Sequence, residues 1–240
     1  MKNTTMKKNK EDKEWLDYQK KFAKEYDNLN YSSALQKWVM NQSHKILEKK
    51  FSSAVHFEKV LEIGAGTGEH FAHIHHTFGN YTMLDHNLST LMVAKKKINA
   101  NLYEKVIFKV HKGGALPYKN NSLDRVIATH VLEHIPNPHL AIKEWMRVLK
   151  PNGVLSIIIP SDPGFAWRMA RFFGPRRRAL KKGISYDYIM AREHINSSNN
   201  LIILLKHYAK NYSEKWWPFF LPSIDINLFY AFNAYIDKPI

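Results

Sequence analysis

The order of apolar and polar positions predicts alternating strands and helices through the middle of the chain. Five short apolar runs have the composition of buried strands, and stretches with helical spacing of apolar residues separate them, for example residues 139–149. The runs are residues 59–63, 80–84, 106–110, 124–129 and 153–160. Because strands that alternate with helices are joined by right-handed crossovers, this pattern predicts a parallel sheet covered on both faces.

The flanking segments predict additions to this sheet. Residues 1–12 are polar and lysine-rich, which is typical of disorder, and residues 15–51 have the spacing of two or three helices. A basic insertion at 165–183 and a helix at 199–210 follow Pro160, and aromatic runs at 212–220 and 226–236 predict two final strands. We therefore expect a helical cap over 1–55, either packed on the body or closing over a ligand. A domain over 56–240 follows, with a polar insertion at about 161–210.

Composition narrows the class of protein. With 240 residues, 45% of them hydrophobic, the chain can form one domain with a sizeable core. It has no cysteine, which excludes disulfides, thiolate metal ligands and cysteine nucleophiles. The N-terminus is charged, and no run approaches the roughly 18 apolar residues of a membrane span. The expected location is the cytoplasm.

The net charge of +15 permits an anionic partner. Such a charge attracts phosphates, nucleic acid or anionic lipid over about a Debye length. A generally lysine-rich composition explains the same charge without any partner, and both interpretations stay open.

The strongest local motif is a glycine-rich turn after the first strand. Residues 60–68 read VLEIGAGTG, so Gly64, Gly66 and Gly68 allow a tight turn and a close approach of the backbone to a ligand. Related loops occur in dinucleotide-binding folds, so this turn alone is weak evidence. Asp85 ends the next strand about twenty residues later, where its carboxylate can accept hydrogen bonds from both ribose hydroxyls. Together these features predict a nucleoside site.

Three further features favour S-adenosylmethionine over a nicotinamide cofactor. Glu62 precedes the turn, where an acidic group suits a sulfonium and an amino group better than a pyrophosphate. SLDRVIA at 122–128 leads into HVLEHI at 130–135, and LKPNGVL at 149–155 turns into an apolar strand. In this order and spacing, residues 56–160 closely resemble the class I methyltransferases. That family has an α/β fold with a Rossmann-like, doubly wound sheet. The sheet has seven strands and is mostly parallel, with an antiparallel last strand. The aromatic runs fit strands six and seven, with N-terminal helices and a helical insertion before strand six.

The resemblance assigns the cofactor residues one by one. It implies that Gly64, Ala65 and Gly66 line the methionine part of S-adenosylmethionine, that Glu62 lies near its amino group, and that Asp85 holds its ribose. S-adenosylhomocysteine would be the product.

The adenine end departs from the family pattern. His86 would lie against the adenine edge and His130 would face the sulfonium side. Lys112 stands where family members often have an acidic residue that accepts the adenine amino hydrogen, and a lysine ammonium only donates. Adenine contact would then fall to the backbone of Gly113 and Gly114.

Residues 186–196 are the first candidates for the acceptor pocket. This short segment contains two tyrosines, two carboxylates, a guanidinium and an imidazole. His194 is the first candidate base, His134 and Tyr186 are further catalytic candidates, and Tyr188 and Arg192 are candidate substrate-binding residues. A solvated surface helix explains the same segment, and His134 has a structural interpretation too.

Two other motifs have both a functional and a structural interpretation. Arg176, Arg177 and Arg178 suit bidentate phosphate binding or a solvated turn. Residues 216–222, WWPFFLP, suit a lipid interface, the wall of an apolar pocket or core strands. A zinc site at His130 and His134 lacks a third ligand in the neighbouring sequence, so we expect no metal.

Four functions fit these observations. The first is methyl transfer to oxygen or nitrogen of a small anionic acceptor, such as a phosphate-bearing or nucleotide-linked sugar or a glycan precursor. The second is phospholipid head-group methylation with peripheral contact to an anionic membrane. The third is RNA methylation, which the charge permits but no RNA-binding motif supports. The fourth is a non-catalytic binding protein. The sequence leaves open whether the chain is a monomer or a homodimer.

Overall fold

The computed structural model describes Trp15, Asp17 and residues 34–237. The predicted disorder of residues 1–12 and the first part of the predicted helical cap lie outside the described residues. Trp15 and Asp17 are helical, and the first complete helix, α1, spans Ala34–Glu48. In the part of the chain that the structure describes, every helix is too short or too polar to cross a bilayer.

Seven strands form one sheet. They are β1 His56–Ile63, β2 Thr77–Asp85, β3 Val106–Val110, β4 Leu123–Thr129, β5 Leu149–Pro160, β6 Asn211–Trp217 and β7 Phe229–Tyr235. The order is β3-β2-β1-β4-β5-β7-β6, the first five strands in sequence run parallel, and β7 is antiparallel to both β5 and β6. The predicted Rossmann-like sheet with an antiparallel last strand is confirmed.

Local sequence signals mark the positions where several helices begin. The helices after α1 are α2 Leu88–Lys97, α3 Pro138–Val148, α4 Phe165–Arg171, α5 Arg177–Lys181, α6 Tyr186–Glu193 and α7 Ser198–Tyr208. Asn87 caps α2 by accepting a hydrogen bond from the backbone N–H of Ser89, and Ser197 caps α7 in the same way. Proline begins α3, where its fixed φ is already helical and no N–H is needed.

Both faces of the sheet are covered, as expected of parallel strands. In β5, every residue from Gly153 to Pro160 is buried. One core cluster packs Ile142 and Trp145 of α3 and Leu201 of α7 against the sheet, and the other packs Leu47 of α1 and Leu91 of α2 against the opposite face. The long apolar run of β5 therefore reflects burial on both sides.

A buried ion pair fastens α1 to the sheet. The Arg125 guanidinium of β4 is fully buried and donates to both carboxylate oxygens of Glu48, at 2.6 and 2.9 Å. It also donates to Ser156 at 3.0 Å and lies 4.0 Å from the centre of the Phe51 ring. Removing one partner would leave a buried charge uncompensated, so this pair holds α1 in place over the cavity described below.

The predicted insertion is helical and forms a small core of its own. Helices α4, α5 and α6 follow β5, with a π-helical turn at Phe172–Arg176 between the first two. Ala179, Ile184 and Ile189 are almost fully buried against one another, and Tyr186 and Met190 join them. The C-terminal aromatic run is split: Trp216 lies in the main core, whereas residues 219–221 are exposed beyond the end of β6.

Candidate functional site

A large cavity lies at the carboxyl ends of the parallel strands. Its volume is about 1600 Å³, and residues that follow β1, β2, β4 and β5 line it together with α1 and α6. Ligands bind at this edge of open α/β sheets because the strand order reverses there and leaves a crevice between loops. In this sheet the reversal lies between β1 and β4.

The glycine-rich turn forms one wall of the cavity. Gly64 has φ +67°, and a Cβ at this position would lie 2.4 Å from Cγ2 of Val131. Gly66 has φ +52°, and no other described heavy atom lies within 4 Å of where its Cβ would be. The same holds at Gly113 and Gly114, with φ of +90° and +84°. Four backbone positions thus need glycine, and three of them leave space that an adenosyl ligand can fill.

Asp85 organises the turn as well as facing the cavity. Its Oδ2 accepts the backbone N–H of Gly66 at 2.9 Å, and its Oδ1 accepts the N–H of Asn87 at 2.9 Å. The Thr90 hydroxyl lies 3.2 Å from Oδ1, but its single hydrogen has a shorter partner, the carbonyl oxygen of Asn87 at 2.8 Å. A carboxylate has about four acceptor positions, so the two N–H groups leave about one on each oxygen. The expectation that Asp85 accepts from both ribose hydroxyls stays a prediction.

Glu62 lies at the base of the cavity and is buried. Tyr81 donates its hydroxyl to Oε2 of Glu62 at 2.7 Å. Burial raises the pKa of Glu62, while His70 and this hydrogen bond oppose the rise. A buried carboxylate at this place suits the positive amino group of a methionine moiety.

A chain of buried imidazoles connects α1 to the turn. The carboxylate of Glu48 accepts from Nε2 of His70 at 3.1 Å, and Nδ1 of His70 lies 3.1 Å from Nδ1 of His44. Burial alone would raise the pKa of Glu48, but Arg125 and the His70 hydrogen bond lower it to about 2. Burial and the neighbouring histidines, His70 first, lower the pKa of His44 well below its usual value. His44 and His70 both line the cavity.

His130 has an unusual backbone for a residue with a side chain. It directly follows β4 and has φ +57°, in the left-handed region that costs free energy for residues other than glycine. Its Nε2 lies 3.1 Å from the hydroxyl of Ser43 in α1. Burial, then the nearby His134 and His194, lower the pKa of His130 to about 3, so its imidazole is neutral at physiological pH. His130 thus offers a neutral polar group between the turn and the second half of the cavity.

The second half of the cavity contains Glu133, His134 and His194. Nδ1 of His194 donates to Oδ2 of Asp162 at 2.8 Å, and Nδ1 of His134 donates to the carbonyl oxygen of Glu193 at 2.9 Å. The two imidazole rings lie edge to face, with centres 5.0 Å apart. Burial raises the pKa of Glu133 to about 7, although His134 opposes the rise.

All nine predicted cofactor residues line the cavity. They are Glu62, Gly64, Ala65, Gly66, Asp85, His86, Gly113, Gly114 and His130. The catalytic candidates His134, Tyr186 and His194 also line it, although they come from segments about fifty residues apart. Whether these residues bind or act as predicted stays a prediction.

None of the five predicted substrate-binding residues is among the described residues that line the cavity. Tyr188 and Arg192 lie on the other side of α6, where Arg192 donates to the Tyr188 hydroxyl at 3.1 Å and stacks on Trp15. The reason is helical geometry, because 186 and 190 share the face opposite to 188 and 192. Arg176 pairs with exposed Asp187 at 2.8 Å, and Arg177 and Arg178 line a separate shallow pocket on α5.

The sequence interpretation missed several cavity residues. Met40 and His44 come from α1, and Arg171 and Trp167 come from α4. Asp162, which pairs with both Arg171 and His194, follows β5 by two residues. Its position after a strand end was an available signal, since ligands bind at that edge.

The comparisons with known proteins agree with this geometry. Residues 61–157 match the family described as "Methyltransferase domain". A 2-methyl-6-phytyl-1,4-hydroquinone methyltransferase of rice is 35% identical over 49% of this chain and 35% of that protein. The chain covers between 35% and 43% of the length of the quinone methyltransferases that it resembles.

Solved structures share the fold at low identity. A methyltransferase from Thermotoga maritima, described as a possible histamine N-methyltransferase, has a TM-score of 0.61 with 16% identity, over 90% of this chain and 98% of that one. The [4+2]-cyclase SpnF has a TM-score of 0.55 with 14% identity, over 85% and 83%. Residues 61–157 therefore match a methyltransferase domain, and the sheet has the fold of the class I methyltransferases. S-adenosylmethionine is the cofactor of this domain class, and the open glycine positions, Asp85 and Glu62 fit an adenosyl group and a methionine amino group.

Proposed function

We propose that this methyltransferase domain transfers the methyl group of S-adenosylmethionine to a small-molecule acceptor bound in the second half of the same cavity. The observation that supports this proposal most is that one continuous cavity contains both sets of residues. The nine cofactor residues and the cluster of Glu133, His134 and His194 line one space of about 1600 Å³. Methyl transfer needs donor and acceptor held in line in a water-poor space, which a shared cavity provides.

Each part of the cavity has a task in this proposal. When bound, S-adenosylmethionine supplies an electrophilic methyl group on a sulfonium. Gly66, Gly113 and Gly114 leave room for its adenosine, and Asp85 accepts hydrogen bonds from the ribose hydroxyls. A hydroxyl or amine acceptor must lose a proton, and the Asp162–His194 pair suits this step. Because Nδ1 of His194 donates to Asp162, its Nε2 lone pair is the one left to accept a proton.

The position of the arginines changes the proposed acceptor. The phosphate-bearing sugar rested on Arg176, Arg177 and Arg178, which lie away from the cavity. Arg171 does line the cavity, but it already pairs with Asp162 at 2.9 Å. The proposal therefore keeps a small acceptor methylated on oxygen or nitrogen and drops the phosphate group as the feature that is recognised.

A second candidate is a phenolic or quinone-type acceptor. Its support is a set of apolar side chains among the residues that line the cavity: Val131, Ile135, Leu140, Trp167 and Met190. Such a lining suits a flat aromatic ring. The rice relative is named for a hydroquinone substrate. The family match ends at residue 157, before Asp162, α4 and α6, so the acceptor-side residues have to be tested directly.

The test is release of S-adenosylhomocysteine from purified protein and S-adenosylmethionine. Separate reactions receive hydroxylated aromatics, polar amines and sugars, phospholipid vesicles, or unmodified tRNA. Turnover with a small-molecule pool that is lost in His194→Ala and kept in His207→Ala supports the proposal, because His207 is exposed on α7 outside the cavity. Turnover with tRNA or vesicles alone would contradict a small-molecule acceptor. Cofactor binding without turnover in any pool would contradict the proposal in favour of a binding protein.

A further inference from the structure

We propose that Glu133, His134 and His194 bind one divalent transition-metal ion at the acceptor end of the cavity. One oxygen or nitrogen atom from each of these side chains lies within 4.8 Å of those of the other two. Glu133 and His134 come from the short helix Leu132–His134 after β4, and His194 is the residue after α6. From the sequence, His134 was paired with His130, for which no third ligand was found; in the structure His134 lies instead with its neighbour Glu133 and with His194, sixty residues away along the chain.

In both His134 and His194, a hydrogen bond at Nδ1 leaves Nε2 as the nitrogen that can bind a metal. Nδ1 of His134 contacts a backbone carbonyl oxygen, and Nδ1 of His194 contacts the Asp162 carboxylate. Both partners only accept, so both Nδ1 atoms carry the hydrogen. The Nε2 lone pairs of the two neutral rings are then available. Metal-binding histidines have this arrangement, in which a carboxylate or carbonyl on one nitrogen orients the other toward the ion.

Glu133 supplies the negative charge that a cation needs. Its side chain is only 3% exposed, and Oε2 has no hydrogen-bond partner among the described residues. Oε1 lies 3.8 Å from Nδ1 of His130 and 3.9 Å from Nε2 of His134, both longer than a hydrogen bond. A buried carboxylate oxygen without a donor is costly unless a cation balances it. An ion between Glu133 and the two Nε2 atoms satisfies all three groups.

The donor set selects the kind of ion. Two imidazoles and one carboxylate, with no thiolate in the chain, suit Zn²⁺, Fe²⁺, Co²⁺ or Mn²⁺ better than Mg²⁺ or Ca²⁺, which prefer oxygen ligands. Metal–nitrogen and metal–oxygen distances are about 2.0–2.2 Å. The 4.8 Å cluster therefore needs only a small inward movement of side chains.

Three protein ligands leave coordination positions open toward the cavity. This consequence rests on the proposed methyl transfer: an acceptor oxygen bound there would lose its proton to solvent more easily, because a metal lowers the pKa of a coordinated hydroxyl. His194 would then be a ligand instead of a base. The two roles differ in one measurable property, since only the metal role makes turnover sensitive to a chelator.

The test is a titration of the full chain, treated with EDTA and dialysed, with Co²⁺ followed by visible absorbance and with Zn²⁺ followed by calorimetry. We expect a tight site with one ion per chain. Glu133→Gln, which keeps the side-chain shape, should weaken binding at least 10-fold, as should His134→Ala and His194→Ala. Asp162→Asn should weaken it about 10- to 100-fold through the orientation of His194. His56→Ala is the control, because His56 lies 3.3 Å from Glu58 in an exposed pair of the same chemistry.

Either of two results would overturn the proposal: no tight site in the parent chain, or unchanged affinity in Glu133→Gln and His194→Ala. Affinity for S-adenosylmethionine, measured on the same EDTA-treated samples, reports that each variant is folded. It also separates the two proposals. Metal binding without methyl transfer in any pool would support the metal site and contradict the proposed function. Turnover that resists a chelator, with no metal bound, would support the function and contradict the metal site.

Discussion

Substitution of Asp85 tests the cofactor site most directly. In Asp85→Ala the ribose loses two charge-assisted hydrogen bonds, because two backbone N–H groups leave about one acceptor position on each carboxylate oxygen. Each such bond contributes about 1.5–3 kcal/mol, so the loss of one raises the dissociation constant for S-adenosylmethionine roughly 10- to 150-fold. The loss of both should give about twice that free energy.

The same substitution should also destabilise the glycine-rich turn. Asp85 holds the N–H of Gly66 and the first turn of α2, so Asp85→Ala should lower the free energy of unfolding by about 1–3 kcal/mol as well. Isothermal titration gives the affinity, and urea unfolding gives the stability. Both are needed, because a partly unfolded sample would imitate weak binding.

Asp124→Ala is the matched control. Asp124 accepts the N–H of Lys59 at 2.7 Å and pairs with Lys150 at 2.8 Å, near the start of β4 and away from the cavity. It should lose stability without losing cofactor affinity. If Asp85→Ala binds S-adenosylmethionine as tightly as the parent chain, the assignment of Asp85 to the ribose is refuted.

Three other predictions follow from the site and the core. His194→Ala should lower turnover at least 10-fold with an unchanged S-adenosylmethionine dissociation constant, measured by product release and calorimetry; normal turnover would remove His194 from the chemistry. Gly64→Ala should cost about 1–3 kcal/mol in urea unfolding, since its Cβ would meet Val131 at 2.4 Å in a left-handed backbone, whereas Gly66→Ala should cost less. Burial lowers the pKa of His76 to about 4, below its usual 6.5. The unfolded chain therefore binds more protons as the pH falls from about 6.5 to about 4, and this residue should remove up to roughly 3 kcal/mol of stability over that window. His76→Gln should flatten that part of the stability curve, and an unchanged slope would contradict the lowered pKa.

The sheet and the cofactor half of the cavity could be predicted from the sequence because their signals are local. Apolar runs with short connections define β1 to β5, and the turn at residues 64–68 needs glycine for backbone reasons that a motif expresses directly. The predicted strand 106–110 coincides with β3, and most other predicted boundaries lie within three residues of the observed ones. A strand end also places its next residue at the ligand-binding edge, which is why Asp85 and His130 were found.

The acceptor half of the cavity could not be predicted in the same way, because contacts between segments that are distant in the sequence form it and no local pattern specifies such contacts. The sequence shows that residues 186–194 are rich in polar groups, but the helical phase decides that Tyr186 faces the cavity and Tyr188 faces Trp15. The sequence of the arginines at 176–178 is compatible with a phosphate site. In the structure, the π-helical turn and α5 place these arginines away from the cavity.

The sequence by itself determined the fold class and the residues of the glycine turn, because both follow from hydrophobic periodicity and backbone geometry within short segments. The resemblance of residues 56–160 to the class I methyltransferases indicated the cofactor. Only the tertiary structure decided which histidines meet. His134 follows β4 and His194 follows α6, and the packing of the insertion over the sheet brings both next to buried Glu133. Side chains that meet only through such packing have no spacing in the sequence by which to recognise them.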